Sequence, residues 1–539
     1  MKKIIFATSV SILLSACGGG SSDPTPTPVP VPENNSAPVA SAVTITDVNG
    51  GETWAGDILS GEYSYADAES DAEGVTTFRW LVDGNVVSTT ESYTLTKAEA
   101  GKSITFDVTA VATTGTKLGQ AVTSEVAIKR DLHFFTANTL TLSNQLFVTD
   151  GTEAGTVNLE VTLPNNPGKP VKLGDKWYFA SFNSDSRASF VTATDGTIAG
   201  TKEFSEGPKV STPYAFTPFK GELYFSGSDA EHGAELWKTD GTEAGTKMFF
   251  ETDAGSSGAP AMLTVAGDQM YFSAYQGTEG RTLWVTNGVD TTESFHKWEW
   301  NTVSDIKSLF GFNDSLYFVD PYRGKLWKTD GTSAGTAKLD LERQSIHAHG
   351  FIAMGDNFFF IDSTGGSNAS VWVSDGITNT LLRETDSTKG DTDGLTVFND
   401  KVYFTSEQEL YEATPTLAKK VDLSASNLAS GFLKPNNFSV FNNKLIFSAS
   451  HTGTQNHEFF QYDGTAVSLI KDITGDSNSS SPAHFTLLNN EIIFSADDKI
   501  AGRELWKTDG TEAGTALLKD IKEGVSSSYP NLSFDDSEK

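Results

Sequence analysis

Four carboxylates stand at alternate positions in the stretch "ADAESDAEG": Asp67, Glu69, Asp71 and Glu73. On a strand, alternate side chains share one face, so the four would sit roughly 7 Å apart and repel one another. A hard cation relieves such repulsion, and calcium, which gathers oxygen ligands, is the cofactor the spacing suggests. The glycine-centred loop of an EF-hand is missing here, and a solvated acidic loop between two strands is the competing reading. His347 and His349, in "HAH", also share a face if that segment is a strand, but no third ligand for zinc or copper is in view. The sequence carries no nucleophile elbow, P-loop, zincin helix or Rossmann glycine pattern. It therefore names no catalytic residue, and an enzyme is the less favoured reading.

The lone cysteine, Cys17, has a different chemistry. It follows a basic start (Lys2, Lys3), an apolar run from Ile4 to Leu13 too short to span a bilayer, and the triplet Leu14-Ser15-Ala16. That quartet resembles a bacterial lipobox. The resemblance implies cleavage of residues 1–16 as a signal peptide and acylation of Cys17, which would anchor the chain firmly in a membrane. Gly18 follows, where Asp would imply inner-membrane retention in lipoproteins of this type. The resemblance thus implies the outer membrane, at the cell surface or alternatively on the periplasmic face. Behind the cysteine, prolines from Pro24 to Pro32 alternate with Thr and Val. Residues 17–35 read as an extended stalk that reaches about 28 Å over its proline run.

Everything downstream must position whatever site exists. The chain has 539 residues, with 39 Lys+Arg against 70 Asp+Glu, a formal charge of −31. Such a surface repels phosphate backbones, so no nucleic-acid partner is expected. With one cysteine no intramolecular disulfide can form. Forty-nine glycines and abundant aromatic residues suit a turn-rich, all-β chain, and a monomer is expected.

Residues 36–130 show period-two strands: Phe78, Trp80 and Val82 alternate in "FRWLV", Ile104, Phe106 and Val108 in "ITFDV", and Asp83-Gly84 reads as a hairpin turn. The stretches "GEYSYADAESDAEGVTTFRWLVDG" and "TLTKAEAGKSITFDVTAVA" resemble immunoglobulin-like modules of bacterial surface proteins. A β-sandwich follows from that resemblance, with Trp80 held by packing alone.

From residue 131 to 539 the chain repeats itself. "ELWKTDGTEAGT" occupies residues 235–246 and returns unchanged at 504–515, with altered copies starting at Leu146, Phe190, Leu283, Leu326, Val371, Leu410 and Phe459. A second ladder, "HFFTA" at His133 through "IIFSA" at Ile492, runs ahead of the first. Its rungs, from Phe135 to Phe494, give a mean period of about 45 residues, that of a four-stranded propeller blade. Five tryptophans (Trp237, Trp284, Trp327, Trp372, Trp506) hold one equivalent position, which fits packing between sheet faces better than a row for stacking sugars. In the turn, Asp240 is expected to accept backbone N–H groups, and Gly241 and Gly245 to take positive φ. Asn287 replaces the aspartate in one copy, and Thr414-Pro415 replaces Asp-Gly in another.

Together the ladders resemble the bacterial family named for its ELWxxDGTxxGT repeats. That resemblance implies an extracytoplasmic β-propeller and transfers no catalytic residue. Nine units are expected, with eight blades as the alternative. The first unit lacks an opening strand, and "SYPNLSFDD" near the C-terminus supplies a candidate for it. Lipid anchor, stalk, sandwich and propeller make a display stack. The leading reading is a binding or adhesion module for a glycan or envelope-protein ligand; a polysaccharide-active propeller enzyme and an envelope-assembly scaffold are the alternatives.

Overall fold

The computed structural model describes residues 35–534 apart from 49–52, 54–56, 97–98, 100, 116, 129–130, 166, 206–209, 253, 278–279, 294–305, 321–323, 340, 342–346, 365–367, 386–391, 427–433 and 451–455. The signal segment, Cys17 and the proline run, with His296 and His451, lie outside the described residues. Two compact units result, one up to residue 129 and one from residue 130. Among the described residues no helix is long and apolar enough to cross a membrane.

The first unit is a two-sheet sandwich. Strands β1 (Val39–Asp47), β2 (Ile58–Ala66) and β5 (Ser92–Thr94) form one sheet; β4 (Asn85–Ser88), β3 (Thr77–Val82), β6 (Ser103–Val111) and β7 (Leu118–Ala127) form the other. The alternation read from the sequence puts Trp80, Ile104, Phe106 and Val108 inside, all fully buried. Trp80 lies 4.5 Å from the Phe106 ring centroid and donates its indole N–H to the Thr90 carbonyl at 2.9 Å. The Asp83-Gly84 turn has φ of 50° and 77°, the left-handed pair that matches strand twist in a two-residue hairpin.

The second unit is a ring of nine antiparallel sheets. Blade 1 has three consecutive strands, His133–Ala137, Gln145–Thr149 and Val157–Thr162. Blades 2 to 9 have four each and span residues 171–203, 211–250, 261–293, 307–338, 348–384, 393–420, 436–471 and 483–519. The first strands of successive blades lie against one another, so they form the inner wall of the ring. Blade 1 receives its missing inner strand from the C-terminus. Thr136 N–H donates to the Asn531 carbonyl at 3.1 Å, Asn531 N–H returns the bond at 2.8 Å, and Asn138 N–H donates to the Ser528 carbonyl at 2.8 Å. Leu532 is buried with Phe135, Leu488 and Ile493 across the seam, and Lys519 Nζ donates to the Thr156 carbonyl at 2.6 Å. Closing the ring this way removes an exposed sheet edge.

Within a blade the two sequence ladders meet as cross-strand ring pairs. Phe272 faces Trp284 with centroids 6.4 Å apart at 10°, and Phe360 faces Trp372 at 6.4 Å and 9°. Trp237, Trp284, Trp372 and Trp506 are buried core residues, as their equivalence implied, and Trp327 is half-buried with its indole N–H donated to Asp320. The turn after them is a small hydrogen-bonded unit. Asp240 Oδ1 accepts Thr242 N–H (2.9 Å) and Thr242 O–H (2.7 Å), and Thr242 Oγ1 accepts Gly245 N–H (2.9 Å). The same bonds recur at Asp150, Asp195, Asp330 and Asp509. Gly241 has φ of 95° as expected. Gly245 does not take positive φ; it is glycine because a Cβ there would overlap the Asp240 carboxylate. Asn287 fills the aspartate's role by accepting Val289 and Asp290 N–H at 2.8 Å, whereas Thr414 and Leu417 pair directly around Pro415.

Candidate ligand-binding pocket at the ring closure

The inner strands of blades 8 and 9 and the closing C-terminal segment all begin with a residue before proline: Lys434-Pro435, Ser481-Pro482 and Tyr529-Pro530. Lys434, Ser481 and Tyr529 have φ of 42°, 43° and 51°, a left-handed conformation that costs on the order of 1–3 kcal/mol for a residue with a side chain. Backbone bonds hold it there. Lys434, Ser481 and Tyr529 N–H donate to the carbonyls of Gln408, His457 and Arg503, at 3.0, 3.0 and 3.3 Å. A bulge follows in blades 8 and 9, where Asn437 (φ 53°) and His484 (φ 59°) interrupt the register with the next strand. The same left-handed residue before proline and following bulge occur in blade 4, at Ala259 and Met262 (φ of 43° and 57°), so they belong to the repeat.

At the ring closure a cavity of about 560 Å³ lies within blades 8, 9 and 1. Its lining is polar: five asparagines (Asn138, Asn144, Asn436, Asn437, Asn531), the hydroxyls of Thr136, Ser448, Ser481 and Ser495, and His457, His484, Arg503 and Tyr529. Among the described residues no Asp or Glu lines it. Asn144, His457 and Arg503 occupy one repeat-equivalent position, just ahead of Gln145, Glu458 and Glu504. In blades 2, 3, 4 and 6 that position is Ser189, Ala234, Arg281 and Ala369. Burial holds the His457 imidazole below its ordinary pKa, with Lys434 adding to the effect, so it is neutral at neutral pH. Arg503 is fixed by its own donors: Nη1 to the Ser481 carbonyl (2.9 Å) and Ser495 Oγ (3.0 Å), Nη2 to the Ser480 carbonyl (3.3 Å). The strands therefore present amides, hydroxyls, imidazoles and one guanidinium from a rigid frame.

The residues singled out for metal chemistry are placed otherwise. β2 ends at Ala66, so Asp67, Glu69, Asp71 and Glu73 do not line one strand face. They belong to a turn in which Asp67 Oδ1 accepts the N–H groups of Glu69 and Asp71, both at 3.0 Å. Glu69 accepts Ser36 N–H at 3.0 Å, Asp71 accepts from Asn35 and Thr114, and Glu73 accepts from Tyr63 and Thr76. Each carboxylate turns to its own protein donors, which tie the turn to the strands around it. His349 lies on the inner strand of blade 6 with Nδ1 bonded to the His347 carbonyl at 3.1 Å, and His347 precedes that strand. Among the described residues no group of three or more His, Cys, Asp or Glu side chains is placed to hold a metal ion.

Sequence reasoning did not find the pocket residues. The signal was present in the repeat alignment as variation at one position: Asn144, His457 and Arg503 where blades 3 and 6 carry alanine. Each departure by itself looks like drift, and only ring closure brings the three together.

The class is defined at this point: an all-β chain with a nine-bladed β-propeller closed by its C-terminus. No protein-family model matches the chain, and no curated protein matches it significantly. Among solved structures it is similar to the β-propeller domain of the Trilobed protease from Pyrococcus furiosus, with 12% identity over 58% of this chain and 100% of that one and a TM-score of 0.29. It is also similar to a puromycin-hydrolyzing peptidase of Mycobacterium tuberculosis, with 10% identity over 67% of this chain and 53% of that one and a TM-score of 0.34. A third is the dihydro-heme d1 dehydrogenase NirN in complex with DHE, at 12% identity, 75% of both chains and a TM-score of 0.41. The chain spans about half the length of the puromycin-hydrolyzing peptidase. Identities this low bear on fold alone.

Proposed function

We propose that this chain is a lipid-anchored protein of the bacterial outer membrane, of the ELWxxDGT-repeat kind, whose propeller binds a ligand without transforming it. The observation that carries the reading is the lining of the seam cavity. Glycoside cleavage runs through a pair of carboxylic side chains flanking the bond, and none is among the described residues that line this cavity. Amides and hydroxyls that both donate and accept are what a hydroxyl-rich ligand needs for orientation. The strands that carry them are fixed by blade pairing, so little ordering is required on binding.

The test is a binding screen of the purified full chain against glycans and envelope proteins, paired with assays for cleaved product. Saturable binding that is weakened by Asn531→Ala, with no product formed, is the expected result. Product formation abolished by that same change would replace binding with catalysis. The anchor is tested separately. A Cys17→Ser chain is expected to leave the membrane pellet on fractionation, and one that stays there with unchanged mobility would remove the lipoprotein reading.

A further inference from the structure

The one formal charge among the described residues that line the cavity is opposite in sign to that of the chain. The chain carries a formal −31, yet Arg503 lines the cavity beside His484 and the neutral His457, with no carboxylate among the described lining residues. Arg503 gives its hydrogen bonds to neutral oxygens, those of Ser480, Ser481 and Ser495. Asp497 lies across the hairpin from it, but its carboxylate is held by Lys499 at 2.7 Å and acts on the guanidinium only through space. The cationic group is thus aimed by its own bonds without being neutralised by contact. Blade 4 has an arginine at the equivalent position, Arg281, and there the guanidinium lies over the Tyr275 ring at 4.4 Å. The seam is where a guanidinium opens onto a cavity.

A planar guanidinium held in place is suited to an oxyanion, and the amides beside it to neutral hydroxyls. Tyr529, at the start of the closing segment, is 61% exposed and offers an apolar face at the cavity edge. We propose that the seam cavity selects an acidic glycan, a saccharide bearing a carboxylate or sulfate, with the oxyanion beside Arg503 and the sugar hydroxyls among Asn436, Asn437 and Asn531. This rests on the reading of the cavity as a binding site and specifies its ligand class. An acidic surface would otherwise repel such a polymer, so the cavity is the place where the repulsion is locally reversed.

The experiment compares dextran sulfate, polygalacturonate and neutral dextran as probes of the purified full chain at moderate salt, with Asn436→Asp and Arg503→Gln variants beside the parent. Asn436 is exposed, and the aspartate keeps the oxygen that accepts from Asn437, so this variant tests charge without disturbing the frame. At least one acidic probe is expected to bind better than dextran, and Asn436→Asp to weaken it by about tenfold, the effect of one added charge at close range. Arg503→Gln is expected to lose more. Equal binding of dextran and the acidic probes, with no response to Asn436→Asp, would overturn the acidic class while leaving a binding site in place. Binding of no probe, in a chain that melts normally, would remove the glycan reading and this inference with it.

Discussion

The dodecapeptide at residues 235–246 and its identical copy at 504–515 build the same turn and diverge at their first residue. Asp240 and Asp509 make matching bonds to Thr242 and Thr511, and Gly245 and Gly514 both fit only because they lack a side chain. Glu235 and Glu504 are both fully buried carboxylates with three donors each. Glu235 takes Thr252 N–H and O–H (both 2.7 Å) and Gly258 N–H (2.8 Å), fixing the connection from blade 3 to blade 4. Glu504 takes Ile521 N–H (2.9 Å), Ser528 N–H (2.8 Å) and Ser528 O–H (2.6 Å), and so fixes the segment that closes the ring. One sequence does one mechanical task in both places, but the strand it secures is an ordinary connection in the first and the ring closure in the second. The residue ahead of it differs, Ala234 in the first copy and Arg503 in the second, and there the candidate chemistry sits.

Removing the closing segment is expected to break this equivalence most. Deletion of Tyr529 to Lys539 exposes an inner edge in blade 1 and removes Leu532 and Phe534, each worth about 1.5–3 kcal/mol when buried. A fall in the propeller's melting temperature of about 10 °C or more follows. An unchanged melt would mean that the ring is not held by its C-terminus. Next in size is Glu504→Ala, which leaves three buried donors without their acceptor and is expected to cost about 3 kcal/mol or more. Glu235→Ala strands as many donors but leaves the ring closed, so its urea midpoint should fall less. Equal losses would show that closure adds nothing to the glutamate's local role.

Gly514→Ala and Gly245→Ala sharpen the comparison from the other side. In both, the new Cβ meets the carboxylate of the turn's own aspartate, an overlap relieved only by breaking the bonds to Thr511 or Thr242. Each is expected to cost about 1–3 kcal/mol, and the two should agree, because the turn does not sense which connection lies beyond it. A clear difference between them would show that the turns are mechanically coupled to their connectors.

These glycines also mark where the sequence stops being readable. Blade number, strand order and even closure were legible, because period-two strands, recurring turns and a first unit without an opener each leave a local pattern. Gly245 was read for its φ, whereas its reason is a side chain five residues earlier that only the folded turn brings close. Asp67 to Glu73 kept strand periodicity beyond the end of the strand, because an aspartate that caps its own backbone starts a turn without changing the alternation of letters. The cavity was invisible for a third reason. Its lining comes from both ends of the propeller segment, Asn138 and Asn531 among them, and no local pattern records which ends meet.

The smallest expected effect separates two carboxylates within one dodecapeptide. Burial raises the Glu235 carboxyl above its ordinary value, against three donors that favour the charged form. The folded chain therefore holds that proton more tightly than the unfolded chain does. Its contribution is fully present below the unfolded pKa and is lost as pH rises through the folded value. Asp240 runs the other way: the Thr242 hydroxyl and N–H hold it below its ordinary value, so its contribution is present above the unfolded pKa and is lost as pH falls through the folded one. Urea midpoints measured from about pH 3 to pH 7 should pass through a maximum between these limbs. Asp240→Asn should flatten the acid limb. Glu235→Gln should flatten the other by only about a third, because Glu458 and Glu504 are raised by the same burial and sit in other blades, where their effects add. If Glu235→Gln leaves the upper limb intact, the donors outweigh burial and the glutamate is charged throughout, an anchor that pH does not loosen.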